Sequence, residues 1–424
     1  MTRTRFFATH VISCAGPNDP GRFSPGVVDV DGRQVTWVGS AADAPSAPAN
    51  AVETGLDGVL MPGLVNTHAH TPMTLLRGLG DGLSTADWLE QVIWPREARL
   101  DRTDVRAGMT LGVTELLSHG ITTSLEMYFA PDVIAEVASE AGLRCVIAPP
   151  LVDGGAIPLL GTTDEQFAMA HRCIDRWRDH PLVTVALGPH APYTVGDDSL
   201  ERVAALADET GAGVHIHLAE GRDEPPAVER LDRLGLLGPR TLVAHAVWLD
   251  EADIATLAER DVAVAHCPVS NARHASGIAP VASFLEAGIR VGLGTDGPVS
   301  DPRLDLLDAM REAQRQARLR SLDAAQLPAD QALWLATGGA ADALGRPDLG
   351  RLAPGTRADL IHVHLDVPVA DDDDLVAHVV GSCSGADVRD VWVDGTPVVR
   401  EGACITVDRD AAHADAFSRA VRLR

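Results

Sequence analysis

The sequence predicts an α/β fold in which a (β/α)8 TIM-type barrel is joined by a small β-sandwich domain built from both chain ends. Two observations predict the barrel: eight short β-branched runs alternate with helical stretches, and metal-capable residues stand at the ends of several runs. One Asp-Gly hairpin near each terminus predicts the second domain. We expect a composite β domain from residues 1–57 and 352–424, and a barrel from residues 58–351.

The terminal hairpins have the same design. Residues 26–30 and 34–39 flank Asp31-Gly32, and the tail repeats the pattern around Asp394-Gly395. An Asp-Gly pair supplies the positive φ angles that a tight two-residue turn requires. We therefore expect the two hairpins to share one small β domain.

The eight β-branched runs account for the middle of the chain. Helical candidates with apolar residues spaced three to four apart lie between them, for example at 103–118 and 303–319. Alternating strands and helices favour a parallel sheet closed into a barrel with the helices outside. The runs lie near residues 59–67, 121–125, 143–149, 182–188, 213–218, 241–245, 262–266 and 290–295.

Composition and charge exclude several classes of protein. The chain has 424 residues and a net charge of −25, and an acidic surface of this size repels phosphate backbones and anionic lipid. We therefore expect neither a nucleic-acid nor a membrane partner. The six cysteines are scattered and no run approaches the roughly 20 apolar residues of a membrane helix, so we expect a cytoplasmic protein.

All 35 basic residues are arginines, because the sequence contains no lysine. This absence rules out a P-loop, a Schiff-base lysine and a carbamylated lysine that bridges two metal ions.

Four predicted strands end in residues that can bind a metal ion. Alternation along the first strand puts His68 and His70 on one face. A single histidine at a strand end is more often hydrogen-bonded in the core or at the surface, but joint occurrence on four strands favours a metal site. Imidazole and carboxylate suit a divalent metal such as zinc. The later strands contribute His215, His217 and Glu220, then His245, and finally Asp296.

Another His-x-His pair, His362 and His364, lies in a predicted strand of the tail. No metal-capable partner follows it, so we interpret its alternation as one exposed face of the β-sandwich.

Several segments of the sequence resemble those of a known family. The segment Met61-Pro-Gly-Leu-Val-Asn-Thr-His-Ala-His70 resembles the first-strand signature of the amidohydrolase superfamily, and the order His-x-His, His, His, Asp matches it along the barrel. The similarity spans about residues 58–365. Four segments resemble the S-adenosylhomocysteine/5′-methylthioadenosine deaminase branch, which includes triazine hydrolases: Thr71-Pro-Met-Thr-Leu-Leu-Arg-Gly78, Met127-Tyr-Phe129, Gly188-Pro-His-Ala-Pro-Tyr193 and Gly277-Ile-Ala-Pro280.

The resemblance implies one divalent metal ion, with zinc favoured and iron and manganese left open. Because lysine is absent, a mononuclear site is expected. His215 matches a non-ligand position and is interpreted as packing. The implied ligands are His68, His70, His217 and Asp296.

The resemblance also implies catalytic roles. Asp296 would take the proton of the attacking water, and His245 would orient the resulting hydroxide. Glu220 would deliver a proton to the ring nitrogen and then to the leaving amine. A helix N-terminal carboxylate is the structural alternative for Glu220.

Substrate contacts are expected from residues 71–100, which are long enough to lie over the barrel mouth and are called the lid segment below. Trp88 either packs on an aromatic base or anchors the segment in the core. By resemblance Glu97 accepts hydrogen bonds from a ribose diol, with a solvated helix-start glutamate as the alternative. His190 matches a pocket histidine that contacts the nucleoside.

The resemblance therefore implies a metal-dependent hydrolytic deaminase that converts an adenosine-type nucleoside to the inosine analogue and releases ammonia. The substrates considered are adenosine, 5′-deoxyadenosine, 5′-methylthioadenosine and S-adenosylhomocysteine. Relatives that take S-adenosylhomocysteine carry carboxylate-binding arginines after the third strand, whereas residues 148–160 contain none, so a small or uncharged 5′ group is expected.

Two alternatives remain open. One is another hydrolase of the branch, such as a guanine deaminase or a triazine hydrolase, for which a ribose-binding Glu97 has no purpose. The other is a scaffold without catalytic activity, which the complete ligand set and Glu220 oppose. A homo-oligomer is possible, but no feature of the sequence fixes its size.

Overall fold

The computed structural model describes residues 3–155, 157–367, 369 and 372–424. Its strands form two separate sheets. The strands are β1 (Arg3–Ile12), β2 (Arg22–Phe23), β3 (Gly26–Asp31), β4 (Gln34–Ser40), β5 (Val52–Pro62), β6 (Leu64–Ala69), β7 (Ile121–Glu126), β8 (Arg144–Ile147), β9 (Pro150–Leu151), β10 (Val183–Pro189), β11 (Gly213–Leu218), β12 (Thr241–His245), β13 (Ala263–His266), β14 (Val291–Leu293), β15 (Leu360–Val363), β16 (Val388–Val393), β17 (Thr396–Arg400) and β18 (Ala403–Cys404).

The helices lie mostly between the barrel strands, with one at the C-terminus. A π-helical turn at Leu89–Ile93 lies between the first two. The α-helices are α1 (Thr85–Trp88), α2 (Trp94–Glu97), α3 (Arg102–Ser118), α4 (Pro131–Ala141), α5 (Thr163–Trp177), α6 (Asp197–Thr210), α7 (Val228–Arg233), α8 (Glu251–Glu259), α9 (Pro268–Arg273), α10 (Val281–Glu286), α11 (Leu306–Ser321), α12 (Ala329–Leu335), α13 (Gly338–Ala343), α14 (Asp372–Ser382) and α15 (Arg409–Leu423).

The predicted parallel barrel is confirmed. Strands β6, β7, β8 and β10 to β14 are hydrogen-bonded in chain order, and the short β9 adds to β10. The ring closes where Ala69 bridges to Asp296 and the Asp296 amide donates to the His68 carbonyl at 3.0 Å. Closure thus brings the carboxyl end of the last strand against the carboxyl end of the first.

The first predicted run, residues 59–67, is divided between the two sheets. Val59–Pro62 pairs antiparallel with β15, so the barrel begins only at Leu64. Gly63 lies where the chain passes from one sheet to the other. A Cβ atom there would overlap the Thr122 side chain, so this position requires glycine. The domain boundary at residue 58 stays a prediction.

The second sheet joins both chain ends, as expected. Its order is β18-β17-β16-β15-β5-β1-β3-β4, with β2 on β1. The β16–β17 hairpin turns at Asp394-Gly395, where both residues have positive φ. The β3–β4 hairpin turns one residue later than expected, at Gly32-Arg33, because Asp31 still belongs to β3 and pairs with Gln34. Phe6 and Trp392, from opposite ends of the chain, pack edge to face with ring centroids 4.9 Å apart.

The expectation of an exposed histidine face in the tail is wrong for His362. This residue of β15 is buried, and its ring nitrogens bond to the Asp390 carboxylate and the Asp57 carbonyl, each at 2.9 Å. His364 is partly exposed. His362 therefore serves the packing of the terminal sheet.

The helical predictions at 103–118 and 303–319 correspond to α3 and α11. Helix α3 begins at Asp101, whose carboxylate accepts from the amides of Thr103 and Asp104. None of the described helices is both long and apolar enough to cross a bilayer.

Candidate metal centre and active site

Three imidazoles and one carboxylate converge where the barrel closes. The Nε2 atoms of His68 and His70 lie 3.4 and 3.3 Å from Asp296 Oδ1. The Nε2 atom of His217 lies 3.3 Å from that of His70. The four side chains predicted as metal ligands, although up to 228 positions apart in sequence, therefore surround one point.

Each imidazole has its other ring nitrogen occupied. Nδ1 of His70 bonds to the Met127 carbonyl at 2.5 Å, and Nδ1 of His217 bonds to the His190 carbonyl at 2.6 Å. A carbonyl only accepts, so both Nδ1 atoms carry the proton and both Nε2 atoms present a lone pair to the common point.

His215 orients the third imidazole through a relay. Its Nδ1 donates to the Leu242 carbonyl at 3.1 Å, so its Nε2 accepts from His68 Nδ1 at 2.7 Å. The buried Nε2 of His68 then has no hydrogen-bond partner among the described residues. His215 thus contacts a predicted ligand in addition to packing.

The donor set fits a divalent metal ion. Burial lowers the pKa of His68 to about 3 and lowers the pKa values of His70 and His217, so all three rings are neutral. Neutral imidazole is the form that binds a metal. A buried nitrogen without a partner, beside two further lone pairs and a carboxylate, is what such a site requires.

Asp296 is held in a strained position. Its φ of 60° lies in the left-handed region, which is uncommon for residues other than glycine. Ser270 donates to its Oδ2 at 2.6 Å, which leaves Oδ1 facing the histidines.

His245 lies beside the four side chains that are predicted as metal ligands. It also has a positive φ, 69°, and its Nδ1 bonds to Asn271 Oδ1 at 3.0 Å. Its Nε2 lies 3.8 Å from Glu220 Oε2. Burial lowers its pKa, but the carboxylates of Glu220 and Asp296 outweigh this and raise it.

Glu220 is a buried carboxyl that faces the same space. Burial raises its pKa, while the charge of His245 and a hydrogen bond from Thr85 oppose the rise. The Thr85 hydroxyl donates to Glu220 Oε1 at 3.2 Å. A carboxyl with a raised pKa is suited to hold and release a proton near neutral pH.

A second cluster shares His68 with the first. Ligand-capable atoms of His68, His245 and Cys267 lie within 4.8 Å of one another. Burial raises the pKa of the Cys267 thiol well above its usual value, so it is a neutral neighbour of the site.

A cavity of about 330 Å³ opens from these residues. The lid segment forms one of its walls, because it directly follows β6 and so begins at the barrel mouth. Apolar lining comes from Leu89, Ile93, Trp94, Phe129, Pro150 and Ile157.

Glu97 lines the cavity at the end of α2 and is buried, contrary to the solvated alternative. The Tyr128 hydroxyl donates to its Oε1 at 2.8 Å. Burial raises the pKa of Glu97 to about 7, although the tyrosine hydrogen bond opposes this.

Trp88 and His190 also line the cavity. Trp88 packs on the ring of His274, with centroids 4.7 Å apart, so it both faces the cavity and anchors the lid. Nδ1 of His190 bonds to Thr194 Oγ1 at 2.9 Å, and its carbonyl holds His217.

The cavity is acidic, with Glu97, Asp153, Glu220 and Asp296 in its lining and no arginine among the described lining residues. Pro150, Val152, Asp153 and Ile157 bring the arginine-free segment after the third barrel strand to its wall. This lining is unfavourable for an anionic group.

Sequence reasoning missed several polar residues that hold the site. Ser270 and Asn271 both lie in α9, directly after β13, and contact Asp296 and His245. Tyr128 lies in a segment that carries the resemblance, but its contact with Glu97 has no local signal. Thr85 is one of many threonines, and only the fold brings it to Glu220.

Comparisons with known proteins identify the family of the chain. The sequence profile of the amidohydrolase family matches residues 59–398. A relative from Pelotomaculum thermopropionicum, named 5-methylthioadenosine/S-adenosylhomocysteine deaminase, is 38% identical over 428 residues, covering 97% of each chain. A 5′-deoxyadenosine deaminase from Methanothermobacter thermautotrophicus is 39% identical over 404 residues, covering 92% of this chain and 93% of the relative.

A solved structure is also similar. An adenosine deaminase from Xanthomonas campestris with bound zinc superposes with a TM-score of 0.94 at 36% identity, covering 100% of this chain and 99% of that one.

Proposed function

The chain belongs to the amidohydrolase family, and on that premise we propose that it is a metal-dependent hydrolytic deaminase of adenosine-type nucleosides. It converts the aminopurine to the inosine analogue and releases ammonia. The observation that carries this proposal is the meeting of three neutral imidazoles, the Asp296 carboxylate and the Glu220 carboxyl at one end of a closed cavity. The relatives named as deaminases support the same reaction.

The metal proposed is a single divalent ion, with zinc favoured over iron and manganese. The zinc-bound structural relative supports this choice, and the absence of lysine opposes a carbamylated bridge to a second ion. When bound, such an ion lowers the pKa of water from 15.7 towards about 7 and so supplies a nucleophile at neutral pH. The proposed ligands are His68, His70, His217 and Asp296.

The chain's own residues then move the protons. Glu220 gives a proton to the ring nitrogen while water adds to the amino-bearing carbon, and Asp296 accepts the proton that the water loses. His245, fixed by Asn271, orients the attacking oxygen. Glu220, now ionised, takes the proton of the newly added hydroxyl group and passes it to the amine, so that the carbon–nitrogen bond breaks, the carbonyl forms and neutral ammonia departs. Proton exchange with water then restores an ionised Asp296 and a protonated Glu220. The raised pKa of Glu220 supports its role as the acid.

Glu97, His190 and Trp88 are proposed to hold the nucleoside. The buried Glu97, presented by Tyr128 inside the cavity, supports acceptance of hydrogen bonds from a ribose diol. A guanine or triazine ring has no such diol. This residue therefore favours a nucleoside over the alternative hydrolase reactions.

The 5′ group of the substrate is proposed to be small or uncharged. The arginine-free segment that lines the cavity, and Asp153 within it, disfavour the carboxylate of S-adenosylhomocysteine. The net charge of −25 likewise supports a small-molecule partner rather than nucleic acid. A cytoplasmic location and a homo-oligomer stay predictions.

Ammonia release from a panel of nucleosides tests this proposal. We expect 5′-deoxyadenosine, adenosine or 5′-methylthioadenosine to have the highest kcat/KM on protein of measured metal content. If guanine or a triazine is the best substrate, the nucleoside assignment is wrong. If S-adenosylhomocysteine is much the best, only the 5′-group assignment is wrong.

Two substitutions test the assigned roles. Glu220→Gln should keep its metal and lose about 10²- to 10⁴-fold in kcat, because proton transfer is lost. His217→Ala should lose the metal itself, measured by elemental analysis. Glu259→Gln, on an exposed position of α8, is the control and should match the unaltered chain. Near-full activity of Glu220→Gln would contradict the proton-transfer role.

A further inference from the structure

The lid segment touches the proposed catalytic acid through one polar side chain. Thr85, the first residue of α1, donates to Glu220 Oε1 at 3.2 Å. The same hydroxyl lies 3.3 Å from Ser276 Oγ. A carboxylate only accepts, so when Glu220 is ionised the Thr85 proton points to Oε1 and the Ser276 hydroxyl donates to Thr85.

The two carboxyl oxygens of Glu220 therefore have different surroundings. Oε1 faces the lid hydroxyl, whereas Oε2 lies on the side of His245, 3.8 Å from Nε2. A proton added to Oε2 leaves the Thr85 hydrogen bond intact, whereas a proton added to Oε1 requires the Thr85 hydroxyl to turn away from Glu220 or to become the acceptor.

We propose that Thr85 is a positioning residue that keeps Oε1 of Glu220 as an acceptor and so places the transferable proton on Oε2, beside His245. This inference rests on the proposed function, because it assigns a task to Glu220 in that reaction. The ability of Glu220 to donate its proton then depends on the lid segment, because Thr85 belongs to that segment and not to a barrel strand.

The lid is anchored so that Thr85 stays in place. Ser84 caps α1 by accepting from the Asp87 amide, and Trp88 packs on His274. Asp81 pairs with Arg273 at 3.4 Å. Both anchoring partners, His274 and Arg273, lie close in sequence to Ser276, so one loop supports the lid and completes the hydrogen-bond chain to Glu220.

The test compares Thr85→Val, which removes the donor at nearly constant volume, with Thr85→Ser, which keeps it. We expect Thr85→Val to lose about 10- to 100-fold in kcat with KM changed less than about threefold, because the acid is misplaced rather than the substrate. Thr85→Ser should have a kcat within about threefold of that of the unaltered chain. Metal content should be equal in all variants.

Thr74→Val is the matched control. The Thr74 hydroxyl is buried in the same segment but donates to the Gly108 carbonyl, at 2.7 Å, and not to the proposed catalytic acid. This variant should share any loss of thermal stability caused by removing a buried hydroxyl and should keep its kcat.

An infrared measurement tests the hydrogen bond without turnover. The carbonyl stretch of protonated Glu220, identified by its absence in Glu220→Gln, should move to higher frequency in Thr85→Val and stay in place in Thr85→Ser. Any of three results would overturn the proposal. The infrared band could be unchanged in Thr85→Val, the kcat of Thr85→Val could equal that of the unaltered chain, or Thr85→Val and Thr85→Ser could lose the same factor in kcat. If no nucleoside yields ammonia, the proposed function fails, while the infrared comparison still decides the role of Thr85.

Discussion

Single side chains at the metal centre are oriented by neutral groups. His70 and His217 each donate from Nδ1 to a backbone carbonyl, and His68 donates to another imidazole. Carbonyl partners fix the tautomer without adding negative charge. The one carboxylate in the predicted set, Asp296, is therefore the group that balances the charge of a divalent ion.

Glu97 gives a pH-dependent prediction for stability. Its pKa in the folded chain is about 7 because of burial, against an ordinary 4.5. Below pH 4.5 the carboxyl is protonated in both the folded and the unfolded chain. As the pH rises to about 7 the unfolded chain ionises first, so the free energy of unfolding falls, and above pH 7 the loss is complete.

Glu97→Gln should therefore be more stable than the unaltered chain at pH 8, by about 3 kcal/mol at most, and should differ by less than about 1 kcal/mol at pH 5. Urea unfolding at the two pH values measures the difference. Glu259→Gln, an exposed change of the same kind, should show no pH-dependent gain. If the stability difference is the same at pH 5 and pH 8, the interpretation that burial raises the pKa of Glu97 is wrong.

At the scale of elements, the lid segment combines short helices with glycines that have left-handed backbone angles. Gly80 and Gly82 have φ values of 70° and 79°. A Cβ atom on Gly80 would overlap Trp88, whereas a Cβ atom on Gly82 has nothing within 4 Å. An alanine would be strained at either position, but only at Gly80 would its side chain also overlap Trp88.

Gly80→Ala should therefore lower kcat/KM at least about tenfold more than Gly82→Ala, because it displaces Trp88 as well as straining the backbone. Steady-state ammonia release measures both variants. The Gly82 variant corrects for strain, which costs about 1–2 kcal/mol at either position. Equal kinetic losses would show that Trp88 does not position the lid.

At the scale of the whole molecule, a buried charge network joins the barrel to the terminal sheet. Arg144, at the start of β8, bonds to both Asp359 carboxylate oxygens at 3.1 Å and to Asp394 at 2.7 Å. Arg357 pairs with Asp394 as well. Arg144 is fully buried, so the two sheets are tied by charges that water does not screen.

Arg144→Met should reduce the free energy of unfolding by about 3–5 kcal/mol, because it leaves buried Asp359 without its cation. Arg202→Met is the control, since it breaks an exposed pair with Asp164 and should cost at most about 1 kcal/mol. Urea unfolding at pH 7 compares them. A loss for Arg144→Met no larger than that for Arg202→Met would mean that the network does not stabilise the assembly of the two sheets.

The sequence was least informative where one sheet follows the other directly. Residues 59–67 read as one strand because apolar residues lie on both sides of Pro62-Gly63, yet this pair is the point where the chain leaves one sheet for the other. Burial on both faces removes the alternation that would separate the two strands. His362 was misread as exposed because its partners, Asp390 and Asp57, are distant in sequence.

By itself the sequence determined the barrel and the sheet made from both ends, and it predicted the residues that could bind a metal, since strand period, Asp-Gly turns and strand-end histidines are local patterns. Tertiary structure alone decided which nitrogen of each imidazole is available and that Thr85, Asn271 and Ser270 hold Glu220, His245 and Asp296. These contacts join segments whose spacing has no period, and only barrel closure and the path of the lid segment set their distances.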